Sequence, residues 1–255
     1  GLFWDFFQYI LKIIVFSCNI TWILNFLLFL YILRMSILTQ STIANEVSFS
    51  GVGVHTGNKV NINILPSAPN SGIIFKRVDL KHNNIVVPNF ENVSEATLCT
   101  TISNDFGVKI STIEHLMAAF LGLGIDNVVV ESDSQEIPIL DGSAKDFVEI
   151  LRSTGLKKSD VPIKLIKINN KVEVKDGNKS ISIEKSNTTL DIEFEINYEN
   201  QFIKNQKNKI NVFEDKLDDV FNSRTFCLYE DIEKLKKLGL GKGGSLENAI
   251  VVKDD

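Results

Sequence analysis

Along residues 41–65 apolar and polar positions alternate. Val47 and Phe49 stand two apart in "NEVSFS", and Val60, Ile62 and Ile64 do the same in "KVNINILP". A period of two belongs to strands with one buried face, so the stretch predicts two strands joined as a hairpin. Short strands and turns follow over 71–110, including "GIIFKRVDL" and "ATLCTTIS". Then the period changes. "STIEHLMAAFLGLG" predicts a helix over 112–121, with Ser111 capping the backbone N–H of Glu114 and Gly122 closing the last turn. "VVVES" predicts a buried strand and "EIPILDGS" a turn. Ser143 is placed to cap a second helix, "AKDFVEILRSTG", that ends at Gly155.

After a boundary near residues 157–162 the pattern restarts. "IKLIKI", "KVEV", "SISIE" and "TLDIEFEINYE" predict strands, and "KDGNK" predicts a hairpin turn. "NQFIKNQKNKIN" reads as a polar link. A short helix is expected around "DKLDDVF", extended chain at "RTFCLY", and an amphipathic helix over "EDIEKLKKLG" that ends at Gly239. "GKGGS" is a loop, and "NAIVVKDD" begins a strand. Each half mixes strands with packed helices, so the expected class is α+β, twice over.

Residues 1–34 follow neither period. Positions 13–33, "IIVFSCNITWILNFLLFLYIL", carry no charge. As a helix they would span roughly 30 Å, enough for a bilayer core. Trp4, Trp22 and Tyr31 would suit its interfaces. A second reading stays open beside the anchor: the chain begins with Gly, Met35 follows the apolar run, and the residue types are those of A/T-rich codons, as in an over-extended start. The segment makes a poor signal peptide, because its apolar run is long and no small-residue cleavage site follows.

Composition narrows the chemistry. A chain of 255 residues, 44% hydrophobic, has ample core for one large domain or two small ones. The net charge of -5 leaves no basic excess to neutralise phosphates, which argues against nucleic acid. The three cysteines, Cys18, Cys99 and Cys227, are scattered and form no C-x-x-C pair, so they read as free thiols.

Only three histidines exist, His55, His82 and His115. Glu114-His115 is either the front of a capped helix or a metal-bound imidazole beside a general base. It is not an H-E-x-x-H pair, since position 119 is Ala. His82 in "DLKHNN" reads as an exposed turn. "GVGVHTGN" is Gly-rich, but its G-x-G-x-x-x-G spacing and the strand after it fail the dinucleotide fingerprint. "GLGKGGS" follows a helix and has glycines after its lysine, so it fails the phosphate-loop pattern. Thr225 reads as an ordinary strand residue; beside a metal, its hydroxyl could instead donate to a developing oxyanion.

Taken in order, "GVGVHTG", "STIEHLMAAFLGLGIDN", "EIPILDGSA", "SRTF" and "GLGKGGSLENAIVV" closely resemble the UDP-3-O-acyl-N-acetylglucosamine deacetylase family of lipid A biosynthesis, over residues 39–252. The resemblance implies two similar two-layer α+β sandwich domains with helices packed between the sheets, over 35–158 and 159–255 and following the 1–34 extension. It implies zinc (Zn2+) held by two histidines and an aspartate, and hydrolysis of the N-acetyl group of a UDP-linked, acylated amino sugar. Residue by residue, it makes His115 a zinc ligand, Glu114 the general base and Thr225 the oxyanion donor. His55 and Phe226 line the substrate cleft, and Ile232 and Gly244 border a passage for the acyl chain. The family's C-terminal H-K-x-x-D motif is not in this sequence, so the second domain is expected to be incomplete and the remaining zinc ligands absent. The alternative is an inactive, truncated remnant, membrane-tethered or not. The expected setting is a cytoplasmic monomer in peripheral contact with the inner membrane, or an inner-membrane protein where 13–33 form an anchor.

Overall fold

The structure is a computed structural model that describes residues 38–186 and 190–253. The apolar run at 13–33 lies outside the described residues. The chain divides into two compact units, one of residues Gly1–Thr39 with Asp160–Lys164, the other of Gln40–Ser159 with Leu165–Asp255. In the first, the backbone N–H of Ile163 donates to Leu38 O at 2.9 Å. Everything below concerns the second, apart from Thr39 at the start of its first strand and residues 160–162 at the end of its tenth.

Its strands are β1 (Thr39–Ile43), β2 (Val47–Val52), β3 (Lys59–Pro66), β4 (Ile73–Arg77), β5 (Ile85–Val86), β6 (Val93–Glu95), β7 (Thr101–Ser103), β8 (Lys109–Ile110), β9 (Val128–Ser132) and β10 (Leu156–Pro162). Helices α1 (Glu114–Leu123) and α2 (Lys145–Thr154) flank β9. Five strands join in the order β2-β3-β9-β4-β5, and β6-β7-β8 form a smaller sheet. The expected hairpin is present: Val47 pairs with Ile64 and Phe49 with Ile62, antiparallel. Strand β9 runs antiparallel to β3 and parallel to β4.

The alternation explains the packing. Val60, Ile62 and Ile64 point from β3, and Val128 and Val130 from β9, into one buried cluster with Leu116, Ala119 and Phe120 of α1 and Phe147, Val148 and Leu151 of α2. The α1 residues are spaced three and four apart, as one helix face requires. Phe49 meets Phe147 edge to face, with centroids 5.8 Å apart. Truncating a fully buried Phe in such a cluster costs about 3–5 kcal/mol.

Beyond β10 the strands are β11 (Val172–Asp176), β12 (Lys179–Ile183), β13 (Asp191–Asn197), β14 (Asn205–Asn211), β15 (Phe226–Leu228) and β16 (Ile250–Val252), with short helices α3 (Asp218–Asn222) and α4 (Ile232–Lys237). β11 pairs with β12, β13 with β14, and β15 runs parallel to β16. The "KDGNK" turn is present, with Gly177 at φ 59°. Phe221 of α3 joins the cluster of α1 and α2. The class is thus mixed α and β, consistent with α+β.

Several local expectations are corrected. Helix α1 starts at Glu114 with no side-chain cap, and Ser111 Oγ donates to Gln135 O at 3.2 Å instead of accepting from Glu114. Thr112 takes φ 58°, which turns the chain out of the geometry a capping box needs. The helix closes at Gly124, not Gly122: Gly124 has φ 66°, its N–H reaches Leu121 O, and Ile125 N–H reaches Phe120 O, a Schellman ending. Gly122 lies inside the helix, where a Cβ would strike the Phe221 ring. Residues 163–168, "IKLIKI", form no strand, and "NQKNKIN" is β14 rather than a link.

Candidate active site

Two loops and the start of α1 build the site. The joint of the β2-β3 hairpin turns on Gly57, φ 71°, whose N–H donates to Gly53 O at 2.9 Å. This fixes His55 between them. The "GKGGS" loop lies against it: Lys242 N–H donates to His55 O at 3.3 Å and Gly243 N–H to Val54 O at 3.0 Å. The loop in which the resemblance placed Gly244 thus packs along the turn that carries His55. Gly244 sits in it, its N–H on Gly241 O at 3.1 Å.

At the head of α1, Glu114 Oε2 accepts the Thr100 N–H at 3.1 Å, and its Oε1 takes no hydrogen bond among the described residues. Burial pushes the His115 imidazole below its ordinary value, against the opposing pull of the Glu114 and Asp141 carboxyl groups. His55 moves the other way. The neighbouring Cys99 thiol raises it, burial opposes, and the Glu136 and Glu114 carboxyl groups add to the rise. Burial pushes the Cys99 thiol up, but the His55 imidazole and the hydroxyls of Thr101 and Thr112 more than reverse this, so it ends below its ordinary value. Glu114, His115, His55, Cys99 and Asp141 thus form one electrostatically linked group.

Thr225 reaches the same region through the backbone. Its N–H donates to Gly142 O at 2.8 Å, and its carbonyl accepts from Ile250 N–H at 3.0 Å. Arg224 braces the junction, with Nε on Asp141 O at 2.7 Å and Nη2 on Leu246 O at 3.2 Å and on Glu247 O. Phe226 follows in β15, 36% exposed, its ring edge to face with Tyr198 at 5.6 Å. Ile232 opens α4 and is half-buried; among the described residues no hydrogen bond or ring contact ties it to the group around Glu114. His82 is exposed, as expected.

Sequence reading missed Glu136. It is fully buried and accepts hydrogen bonds from the His55 and Thr56 backbones. The available signal was a lone acid directly before the apolar "IPIL".

A catalytic zinc site takes three protein ligands and keeps a fourth position open. Among the described residues no three His, Cys, Asp or Glu side chains are grouped to hold a metal ion. By themselves they do not fit zinc. Nor, among the described residues, is any helix long and apolar enough to cross a membrane.

Comparison with known proteins meets this geometry. The family model for UDP-3-O-acyl N-acetylglycosamine deacetylase matches residues 40–255. The UDP-3-O-acyl-N-acetylglucosamine deacetylases of Shewanella baltica and Shewanella denitrificans are each 42% identical over 216 residues, 84% of this chain and 70% of theirs. That of Shewanella oneidensis is 41% identical over the same span. The chain therefore belongs to the UDP-3-O-acyl N-acetylglycosamine deacetylase family, a family of hydrolases.

Proposed function

We propose that this chain hydrolyses the N-acetyl group of UDP-3-O-acyl-N-acetylglucosamine, releasing acetate, in lipid A biosynthesis. The supporting observation is Glu114. One carboxyl oxygen is fixed by the Thr100 N–H and the other is open, beside an imidazole that burial favours in its neutral form. That is the arrangement a general base needs: a fixed orientation with one free acceptor for water.

In the reaction, Glu114 takes a proton from water as its oxygen bonds to the acetyl carbon. The Thr225 hydroxyl donates to the carbonyl oxygen as negative charge grows there. The C–N bond then breaks, and the amine leaves with the proton that Glu114 returns. His55 and Phe226 hold the sugar nucleotide, while Ile232 and Gly244 border the acyl chain. Zinc is the proposed cofactor, with His115 as a ligand; it would polarise the carbonyl and acidify the water. No step above runs through it, because the described residues do not complete its ligand set. The two-domain sandwich, a monomeric state and peripheral contact with the inner membrane belong to the same reading.

That missing donor set favours a second reading, an inactive remnant of the enzyme without catalysis. One assay separates the two. The full chain, supplied with zinc and the UDP-sugar, should release acetate and yield the free amine by mass spectrometry. Glu114→Ala should lower turnover by about 10²–10⁴-fold. A folded, zinc-supplied chain that releases no acetate would establish the second reading.

A further inference from the structure

We infer that Glu136 is a positioning residue, tying the loop that carries His55 to the residue that turns the chain into Glu114 and His115. This rests on the deacetylase reading above. Glu136 lies on the strand-like "EIPIL", bridged to Ser111: Ser111 N–H donates to Gln135 O at 2.9 Å and Ile137 N–H to Ser111 O at 3.0 Å. Its side chain is 0% exposed, and among the described residues no ion pair reaches it. A buried acid without a cation persists only when hydrogen-bond donors surround it.

Four donors do so, from two distant segments. Oε1 accepts the His55 N–H at 2.8 Å and the Thr112 hydroxyl at 3.2 Å. Oε2 accepts the Thr56 N–H at 2.8 Å and the Thr56 hydroxyl at 2.6 Å. Bonds to an ionised acceptor are the short, strong class. Two backbone features exist to allow this. A Cβ at Gly53 would strike the Glu136 carboxyl group, so only glycine lets it approach the loop. Thr112, β-branched, sits at φ 58°, a conformation such residues avoid, with its hydroxyl on Glu136. One carboxyl group therefore sets His55 and the start of α1 relative to each other. Fully buried, it acts through those residues rather than at the surface of the cleft.

The test uses Glu136→Gln in the full chain. The amide has nearly the same shape but replaces one acceptor oxygen with a donor, so a backbone N–H of the 55–56 loop loses its partner. The groups facing the His55 ring are Cys99, Glu136 and Glu114. The His55 titration, followed by ring-proton NMR, should move to lower pH. KM should rise roughly 3–10-fold with kcat changed far less, the pattern of lost uniform binding. Glu136→Asp, which keeps the charge, should return part of the His55 shift. Should Glu136→Gln not fold, Thr56→Val removes one donor and should raise KM in the same direction by less. Parent-like His55 titration and KM in a folded variant overturn the proposal, as does a loss of melting temperature alone. If the parent chain turns nothing over, the deacetylase reading fails, and the His55 titration still decides the positioning role.

Discussion

Cys99 and Cys227 are both free and half-buried, yet their surroundings set them apart. Around Cys99 an imidazole and two hydroxyls overcome the effect of burial and lower the thiol's pKa. Around Cys227 burial raises it, and the Asp231 carboxyl group adds to the rise. The thiolate is the nucleophile, so near neutral pH Cys99 should be alkylated by iodoacetamide well before Cys227. Peptide mapping of a time course checks this, and equal rates would contradict the lowered Cys99 pKa. A second prediction concerns metal. The tag-free chain dialysed against zinc should hold well below one ion per chain, because three ligands are needed and only His115 is assigned. His115→Ala should lower the occupancy further, and stoichiometric zinc by elemental analysis would refute the expectation. At this scale the sequence exposed Glu114, His115 and Thr225 only through the ordered motifs. Each alone had an ordinary structural reading. Glu136 stayed hidden because burial of an acid depends on donors from residues 55, 56 and 112, which no local pattern places beside it.

The elements that local periodicity described best are those with one clean buried face, β2-β3, α1 and α2. Where tertiary contacts compete, the local reading gave way. Ser111 matched a capping box, but the bridge to Glu136 drew its hydroxyl to Gln135 instead. Strand β14 looked like a link because polar Asn, Gln and Lys occupy both faces. Its partner β13 supplies the register: Glu193 stands opposite Lys209 and reaches diagonally to Lys207, with their charges 2.8 Å apart. The "DGSA" turn shows how elements position the site. Gly142 has φ 88°, and a Cβ there would collide with the Asn248 carbonyl oxygen. The same turn accepts the Thr225 N–H and, at Asp141 O, the Arg224 side chain. Gly142→Ala should therefore destabilise the chain by about 1–3 kcal/mol, read from urea unfolding. It should also loosen Thr225, so amide exchange at that residue should quicken more than in the β2-β3 hairpin. Unchanged stability would mean that the turn tolerates the side chain and does not clamp the loop.

At the scale of the molecule, the α+β class was legible because the period switches from two to three-and-four and back within each half. The reach of the core was not. Phe221, far along the sequence, packs with α1 and α2, and a Cβ at Gly122 would meet its ring. A single Phe in a polar stretch gives no sign of where it will be buried. Among the described residues, the buried cluster runs from Ile43 to Phe221. The linked group of site residues runs from His55 to Asp141, and Thr225 joins it across the Gly142 turn. The alternating pattern that builds these elements begins only after Met35. A chain beginning at Met35 should therefore fold, with the same far-UV circular dichroism per folded residue over 38–253. Its melting temperature should stay within about 2–4 °C of the parent, since that much shift corresponds to roughly 1 kcal/mol at this size. Its acetate release should match the parent's. The stakes lie in the two readings of the apolar run. If the shorter chain melts far lower or loses turnover, the run supports the core or the site. If the natural protein stays with membranes through a carbonate wash and begins upstream of Met35, the run is an anchor. Retained folding with release by carbonate would instead match an over-extended start.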